Sequence, residues 1–381
     1  MKSKTRLIAV VILVAATARA GDVGVILSRV PEGGLQPQAL VGAGGDTHLI
    51  YFKGDPKAGD VFYSHRAPGA SEFSKPIRVN SRANSAIAIG TIRGAQMALG
   101  ENDRVHVAWD GTGKAAGHDG VPMYYTRMND AGTGFEPQRD VMTFTGGLDG
   151  GGSVAADRSG NVYVAWHGNT PATQGKEDER AVFLAVSSNG GRTFEPERKV
   201  NPEDTGACGC CGLKVRADPR GDLYLVYRMA RGGSDRDEAL LVSHDHGKSF
   251  RTLHSDSWNA TFCPMSSACL ADAGGKRTIA AWETMGKVWF TLIDPSGDRV
   301  GEPVSPGGGA QKHPAAAVNK SGQIVLVWAE GTGWQKGGAV AWRVYDSQGH
   351  PTSVSGRKEG LPAWSLPAAV ARNDGGFEII Y

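Results

Sequence analysis

One phrase recurs along the chain and constrains its fold more than any other feature: an apolar strand, a turn rich in Asp, Asn and Gly, then a β-branched or aromatic strand that often ends on Trp or Tyr. The seven copies are "ALVGAGGDTHLIYF", "MALGENDRVHVAW", "SVAADRSGNVYVAW", "LKVRADPRGDLYLVY", "CLADAGGKRTIAAW", "AAAVNKSGQIVLVW" and "AAVARNDGGFEIIY". Their spacing is roughly fifty to sixty residues, and alternation and turn chemistry make each one a β-hairpin. After six of them comes a second hairpin, as in "DVFYSHRAPGASEFSKPIRV" and "AVFLAVSSNGGRTFEPERKV". Four antiparallel strands per repeat predict an all-β fold, a single β-propeller of four-stranded blades, with seven blades favoured over six. The last hairpin lacks an outer partner. The N-terminal stretch "DVGVILSRV" is expected to complete it, closing the ring and removing its free edges. The 54 glycines agree with many short strands joined by tight turns.

The N-terminus reads as an export signal. Lys2, Lys4 and Arg6 precede an apolar run from Leu7 to Ala16 and the small-residue pattern Ala18-Arg19-Ala20, so residues 1–20 are assigned to a signal peptide and 21–381 to the propeller. The chain is expected to be periplasmic or extracellular, without a membrane span, and a monomer. With 41 basic against 39 acidic residues, and no long basic block, nucleic acid is excluded as a partner.

"SHDHGKSF" (Ser243 to Phe250) resembles the Ser-x-Asp-x-Gly-x-x-aromatic turn, the Asp-box, of sialidases and related BNR-repeat propellers. Its structural residues are Asp245, Gly247 and Phe250. "SSNGGRTF" is similar with Asn189, Gly191 and Phe194, and "NDAGTGF" keeps Asp130, Gly132 and Phe135. The carboxylate bonds turn amides, the glycine supplies a permissive backbone and the aromatic packs between strands. Such boxes mark a fold and not an activity. Sialidases have six blades, so a seven-bladed ring departs from the resemblance.

In a propeller the innermost strand of each blade starts at the ligand-binding face, so the useful residues precede the inner strands or follow the second ones. The resemblance implies arginines holding a substrate carboxylate, a Tyr nucleophile and an Asp acid/base. "LQPQALV", before the first inner strand, has no arginine, and Arg29-Val30-Pro31 comes too early. Arg93 and Arg228 are the substitutes for ligand binding. Glu283 and Glu330, close behind Trp282 and Trp328 in successive blades, could serve as acid and base in glycoside cleavage. Trp334, on the glycine-rich loop "EGTGWQKGG", offers an indole face to a sugar ring.

Sulfur is crowded at one place. Cys208, Cys210 and Cys211 open the fourth inner strand and Cys263 the fifth, so adjacent blades bring them to the axial mouth; Cys269 lies deeper in its strand. Two disulfides between "CGCC" and "FCPMSSAC", with one thiol left over, are one reading. Another adds Met265 and His313 to Cys208, Cys210, Cys211 and Cys263 as ligands for copper or zinc. Redox exchange is a third. Three functions stay open: recognition of a glycan or another extracellular ligand, glycoside hydrolysis, and soft-metal or thiol chemistry.

Overall fold

The computed structural model describes residues 23–173, 175 and 178–381; the signal-peptide assignment lies outside them. Seven sheets form a ring from Val25 to Ile380. The first blade comprises Leu35–Val41, Thr47–Asp55, Ala58–Arg66 and Ile77–Arg78, and the second, third, fourth and sixth repeat this four-stranded order. In the fifth, Cys269–Asp272, Thr278–Thr284 and Lys287–Ile293 pair as three strands, and the bridge from Phe290 to Val304 marks the fourth position.

The seventh blade contains Ala368–Ala371, Phe377–Ile380 and, as expected, the N-terminal strand Val25–Ser28. That strand runs parallel to Phe377–Ile380, with Val25 beside Phe377 and Ser28 beside Ile380. Its direction follows from its task, since it must deliver the chain to the face where Leu35–Val41 begins, and Phe377–Ile380 ends at that face. Glu378, fully buried, joins the closure: Ser28 Oγ donates to it at 2.6 Å and Arg66 of the first blade pairs with it.

Second strands such as Val162–Gly168 and Leu223–Arg228 are buried at every position, because neighbouring blades cover both of their faces. Hence their sequences run apolar without alternation. Inner strands carry Ala98, Ala155, Ala316 and Ala369, small side chains that let seven strands converge on the axis around a hollow of about 480 Å³. The recurring Asp or Asn closes the hairpin turn: Asp157 Oδ1 accepts from the amides of Ser159 and Asn161, both at 2.9 Å, and Gly160 takes φ 85°.

The turn Ser243 to Phe250 is held by the residues singled out in its sequence. Asp245 Oδ1 accepts from the Ser249 amide at 2.9 Å and the Ser243 hydroxyl at 2.7 Å, while the Gly247 amide donates to Ser243 Oγ at 2.8 Å. Asn189 bonds the Thr193 amide in the same way, at 2.9 Å, and Phe194 packs edge-on to Tyr125 of the preceding blade. In "NDAGTGF" the residue in this role is Asn129, which accepts from the Thr133 amide at 3.0 Å. Asp130 instead pairs with Arg104, so that reading of the motif was one position out. The Gly190 amide donates to Gly160 O at 2.7 Å, which sets the box-like turn beside the hairpin turns, away from the mouth. Asp245→Ala is therefore expected to cost about 1 to 2 kcal/mol through lost turn bonds and to leave ligand binding unchanged, as chemical denaturation and a binding isotherm would show.

Candidate functional site at the axial mouth

The mouth is built from the loops that enter the inner strands. Gln36, Thr91, Met265, His313 and Trp364 all have φ between 48° and 66°, the left-handed region that side chains disfavour. Turns at the opposite face hold such residues too, at Asn102, Asp103, His246 and Lys276, but at the mouth they shape the loops that enter the inner strands. Gln36 ties that end together: its amide donates to Ser365 Oγ at 3.1 Å, and its side chain donates to Trp364 O at 2.6 Å and to Ala88 O.

The "CGCC" loop is pinned between three blades. The Ala207 amide donates to Arg180 O at 2.8 Å, the Cys208 amide to Arg228 O at 2.9 Å and the Gly212 amide to Ser266 O at 2.9 Å. Such close packing requires glycine opposite: a Cβ on Gly150 would lie 2.2 Å from Gly209 O. Cys210 and Cys263 form a disulfide across the fourth and fifth blades, 53 residues apart in sequence. Among the described residues it is the one such link. Cys269 remains a thiol because it sits inside its strand opposite Ala281, beside Lys214, and burial pushes its pKa up. Cys208 and Cys211 are also thiols, buried, with Cys208 Sγ 3.3 Å from Cys210 Sγ and 3.5 Å from Cys211 Sγ.

Arg228, expected at the rim, lies beneath it with 1% of its surface exposed. Its Nε donates to Ser266 Oγ at 3.0 Å, Nη1 to Arg236 O at 2.6 Å and Nη2 to Glu283 O, while Nη2 lies 2.9 Å from Glu238 Oε2 and the guanidinium covers the Trp258 ring at 4.8 Å. Ser266 in turn donates to Cys211 Sγ at 3.6 Å. Burial pushes the Cys211 thiol up, but the bond from Cys208, the Arg228 charge and the Ser266 bonds outweigh it and bring the thiol down to about 6. Burial lifts Glu238, against the pull of Arg228 and with the push of Cys211, to about 8. A single cation thus serves two acids, Glu238 directly and the Cys211 sulfur beside it. Glu238 escaped the sequence reading, although it is the direct cross-strand neighbour of Arg228.

The two carboxylates read as acid and base are held separately. Glu283 is 1% exposed and accepts from the Gly286 amide at 2.9 Å; burial raises its pKa against the charges of Arg228 and Lys312. Glu330 accepts from Trp328 Nε1 at 2.7 Å and from Arg357 Nε at 2.9 Å. Arg93 pairs with Asp149 at 2.5 Å and donates to Ile89 O at 3.0 Å.

For a soft ion, the Sγ atoms of Cys208, Cys210 and Cys211 lie within 4.8 Å of one another. His313 stands outside that group. Its Nδ1 is 3.0 Å from Ser267 Oγ, and burial with the Lys312 charge lowers it to about 3. Cys210 and Cys263 are joined to each other, and Met265 reaches instead toward Gly90. The six-residue ligand set is therefore not assembled around a common point.

Trp334 is 57% exposed and stands edge-on to Trp364, their ring centroids 4.6 Å apart. Both Trp334 and Met265 approach Gly90, at 3.5 and 3.3 Å from where its Cβ would be. The indole is thus braced at the mouth and open on one side. Farther out on the same face, His118, Phe144 and Asn169 line a cleft of about 510 Å³ between the second and third blades.

No family model matches the chain, and neither does any curated protein sequence. Solved structures do. A Dyadobacter fermentans protein of unknown function is 13% identical with a TM-score of 0.52, covering 88% of this chain and 97% of its own. A Hadza microbial sialidase is 13% identical with a TM-score of 0.51, covering 83% and 70%. A Penicillium chrysogenum α-L-arabinanase, solved with arabinobiose, is 12% identical with a TM-score of 0.54, covering 84% and 95%. At these identities the likeness establishes the fold, a sialidase-like propeller, and nothing narrower. Among the described residues no helix is long and apolar enough to cross a membrane.

Proposed function

We propose that this protein is an exported recognition propeller, of the BNR type, that binds a glycan or a similar extracellular ligand at its axial mouth. The observation that carries this reading is Trp334, an indole left open to solvent yet braced on Trp364. Sugar rings stack on such faces. A fold like that of a sialidase and an arabinanase supports a carbohydrate as the ligand. Arg93, next to the same loop, would orient the ligand's polar groups, while Arg228 acts from below by fixing the loops.

Binding without turnover fits the site better than hydrolysis through Glu283 and Glu330, because Glu283 is buried beneath the mouth and Glu330 is held by Trp328 and Arg357. Titration calorimetry against sialylated and arabinose-containing oligosaccharides is expected to show saturable binding that Trp334→Ala weakens about tenfold, the equivalent of about 1.4 kcal/mol of lost stacking. Release of sugar by the wild type, lost on Glu283→Gln or Glu330→Gln, would establish the hydrolase instead.

A further inference from the structure

We propose that the mouth also carries a thiol–disulfide exchange site, in which Cys208 and Cys211 form a buried dithiol that exchanges with the Cys210–Cys263 bond and, through exposed Cys263, with disulfide-bearing ligands. This goes beyond carbohydrate recognition and does not depend on it.

The four sulfurs form a graded chain. Cys263 is exposed, Cys210 half-buried, and Cys208 and Cys211 are 0% and 1% exposed. Consecutive sulfurs are bonded or in contact: Cys263 to Cys210, then 3.3 Å to Cys208, then 3.5 Å to Cys211. A purely structural staple needs the first two alone. Cys208 and Cys211 have the C-x-x-C spacing of dithiols that cycle to a disulfide. At the buried end, Ser266 and Arg228 furnish the polarity that a buried thiolate requires.

The exchange is balanced without an external oxidant. Cys208 gives its proton to the Cys211 sulfur that it bonds and attacks Cys210 Sγ; a Cys208–Cys210 bond forms, the Cys210–Cys263 bond breaks, and its electron pair leaves on exposed Cys263, which takes up a proton from solvent. Cys211 then attacks Cys208 Sγ and expels Cys210 as a thiol. Cys208 and Cys211 now share the disulfide, and Cys210 and Cys263 stand at the mouth as thiols. A ligand disulfide arriving there is reduced to two thiols as the Cys210–Cys263 bond re-forms. The net reaction oxidises the buried dithiol and reduces the ligand.

The test uses the full protein with Cys269→Ser, so that the fifth thiol is silent. Native protein is incubated with N-ethylmaleimide, then digested without reduction and mapped by mass spectrometry. The expected result is label on Cys210 and Cys263 with a matching amount of Cys208–Cys211 crosslinked peptide, and a loss of Cys263 labelling rate of at least tenfold in Cys208→Ser, which removes the attacking sulfur. With oxidised glutathione in place of maleimide, two glutathione thiols are released per chain and both disulfides are present. Should Cys208→Ser not fold, Cys211→Ser stops the exchange after its first step, with Cys263 labelled and Cys208 linked to Cys210, and the map of the Cys269→Ser protein is decisive alone. An intact Cys210–Cys263 link throughout, with Cys208 and Cys211 labelled only after denaturation, would overturn the proposal.

Discussion

A chain lacking residues 23–30 is expected to melt on the order of 10 °C below the full protein. The segment supplies Val23, Val25 and Leu27, which pack with Phe377 and Ile379 of the seventh blade, and Val30, which packs with Tyr51 of the first. Fully buried side chains of this size are worth about 1.5 to 3 kcal/mol each, and partial burial brings the group to roughly 5 kcal/mol. At about 2 °C per kcal/mol for a large domain, this gives the stated shift. Glu378 would also lose the Ser28 hydroxyl, keeping Arg66 alone as its partner. The loss would bare the outer edge of Phe377–Ile380, inviting edge-to-edge association. Calorimetry and light scattering read both effects. An unchanged transition would mean that the N-terminal strand adds nothing to the ring.

Most of that architecture is legible in the sequence, because each blade is local: its hairpins, turn residues and Trp or Tyr strand ends lie within about fifty residues. The inner-strand alanines and the Asp157-type turns carry their own chemistry in plain view. Direction and pairing do not. The parallel course of Val25–Ser28 depends on where the chain must go next. The shift from Asp130 to Asn129 depends on which side chain the turn points inward. At the mouth, topology announces that "CGCC" meets Cys263, but not that Cys210 is the partner, because the choice rests on how a four-residue loop coils over Gly150. Likewise Glu283 and Glu330 can be placed at the ends of their strands from the sequence, whereas their engagement by Gly286, Trp328 and Arg357 is visible only in three dimensions.

Arg228→Met is expected to destabilise by about 3 to 5 kcal/mol, the usual cost of removing one partner from a buried charged pair. Glu238 loses its charged neighbour, and three acceptors lose their donor at once: Ser266 Oγ, Arg236 O and Glu283 O. The loops entering the fourth and fifth blades are tied through these bonds, so the damage reaches the mouth. Adding Glu238→Met should restore only the part owed to that carboxyl, since Ser266 Oγ, Arg236 O and Glu283 O stay without the guanidinium. The dependence on pH separates this cluster from generic packing. Glu238 is raised in the folded protein to about 8 from an ordinary 4.5, so the folded state holds its proton longer and stability falls as pH rises between those values. Cys211 is lowered to about 6 from an ordinary 9, so the folded state releases its proton sooner and stability rises with pH from about 6 to 9. Each slope is about 1.4 kcal/mol per pH unit, and they oppose one another between pH 6 and 8. Wild-type protein should therefore show no net slope from these two groups in that window. Without Arg228, Cys211 loses its stabilising charge and Glu238 loses the pull that limits its rise, so the variant's stability should decline with pH across the window. Urea unfolding at pH 6, 7 and 8 decides it: parallel profiles for wild type and Arg228→Met would show that the guanidinium holds loops without setting the charge state of the sulfur.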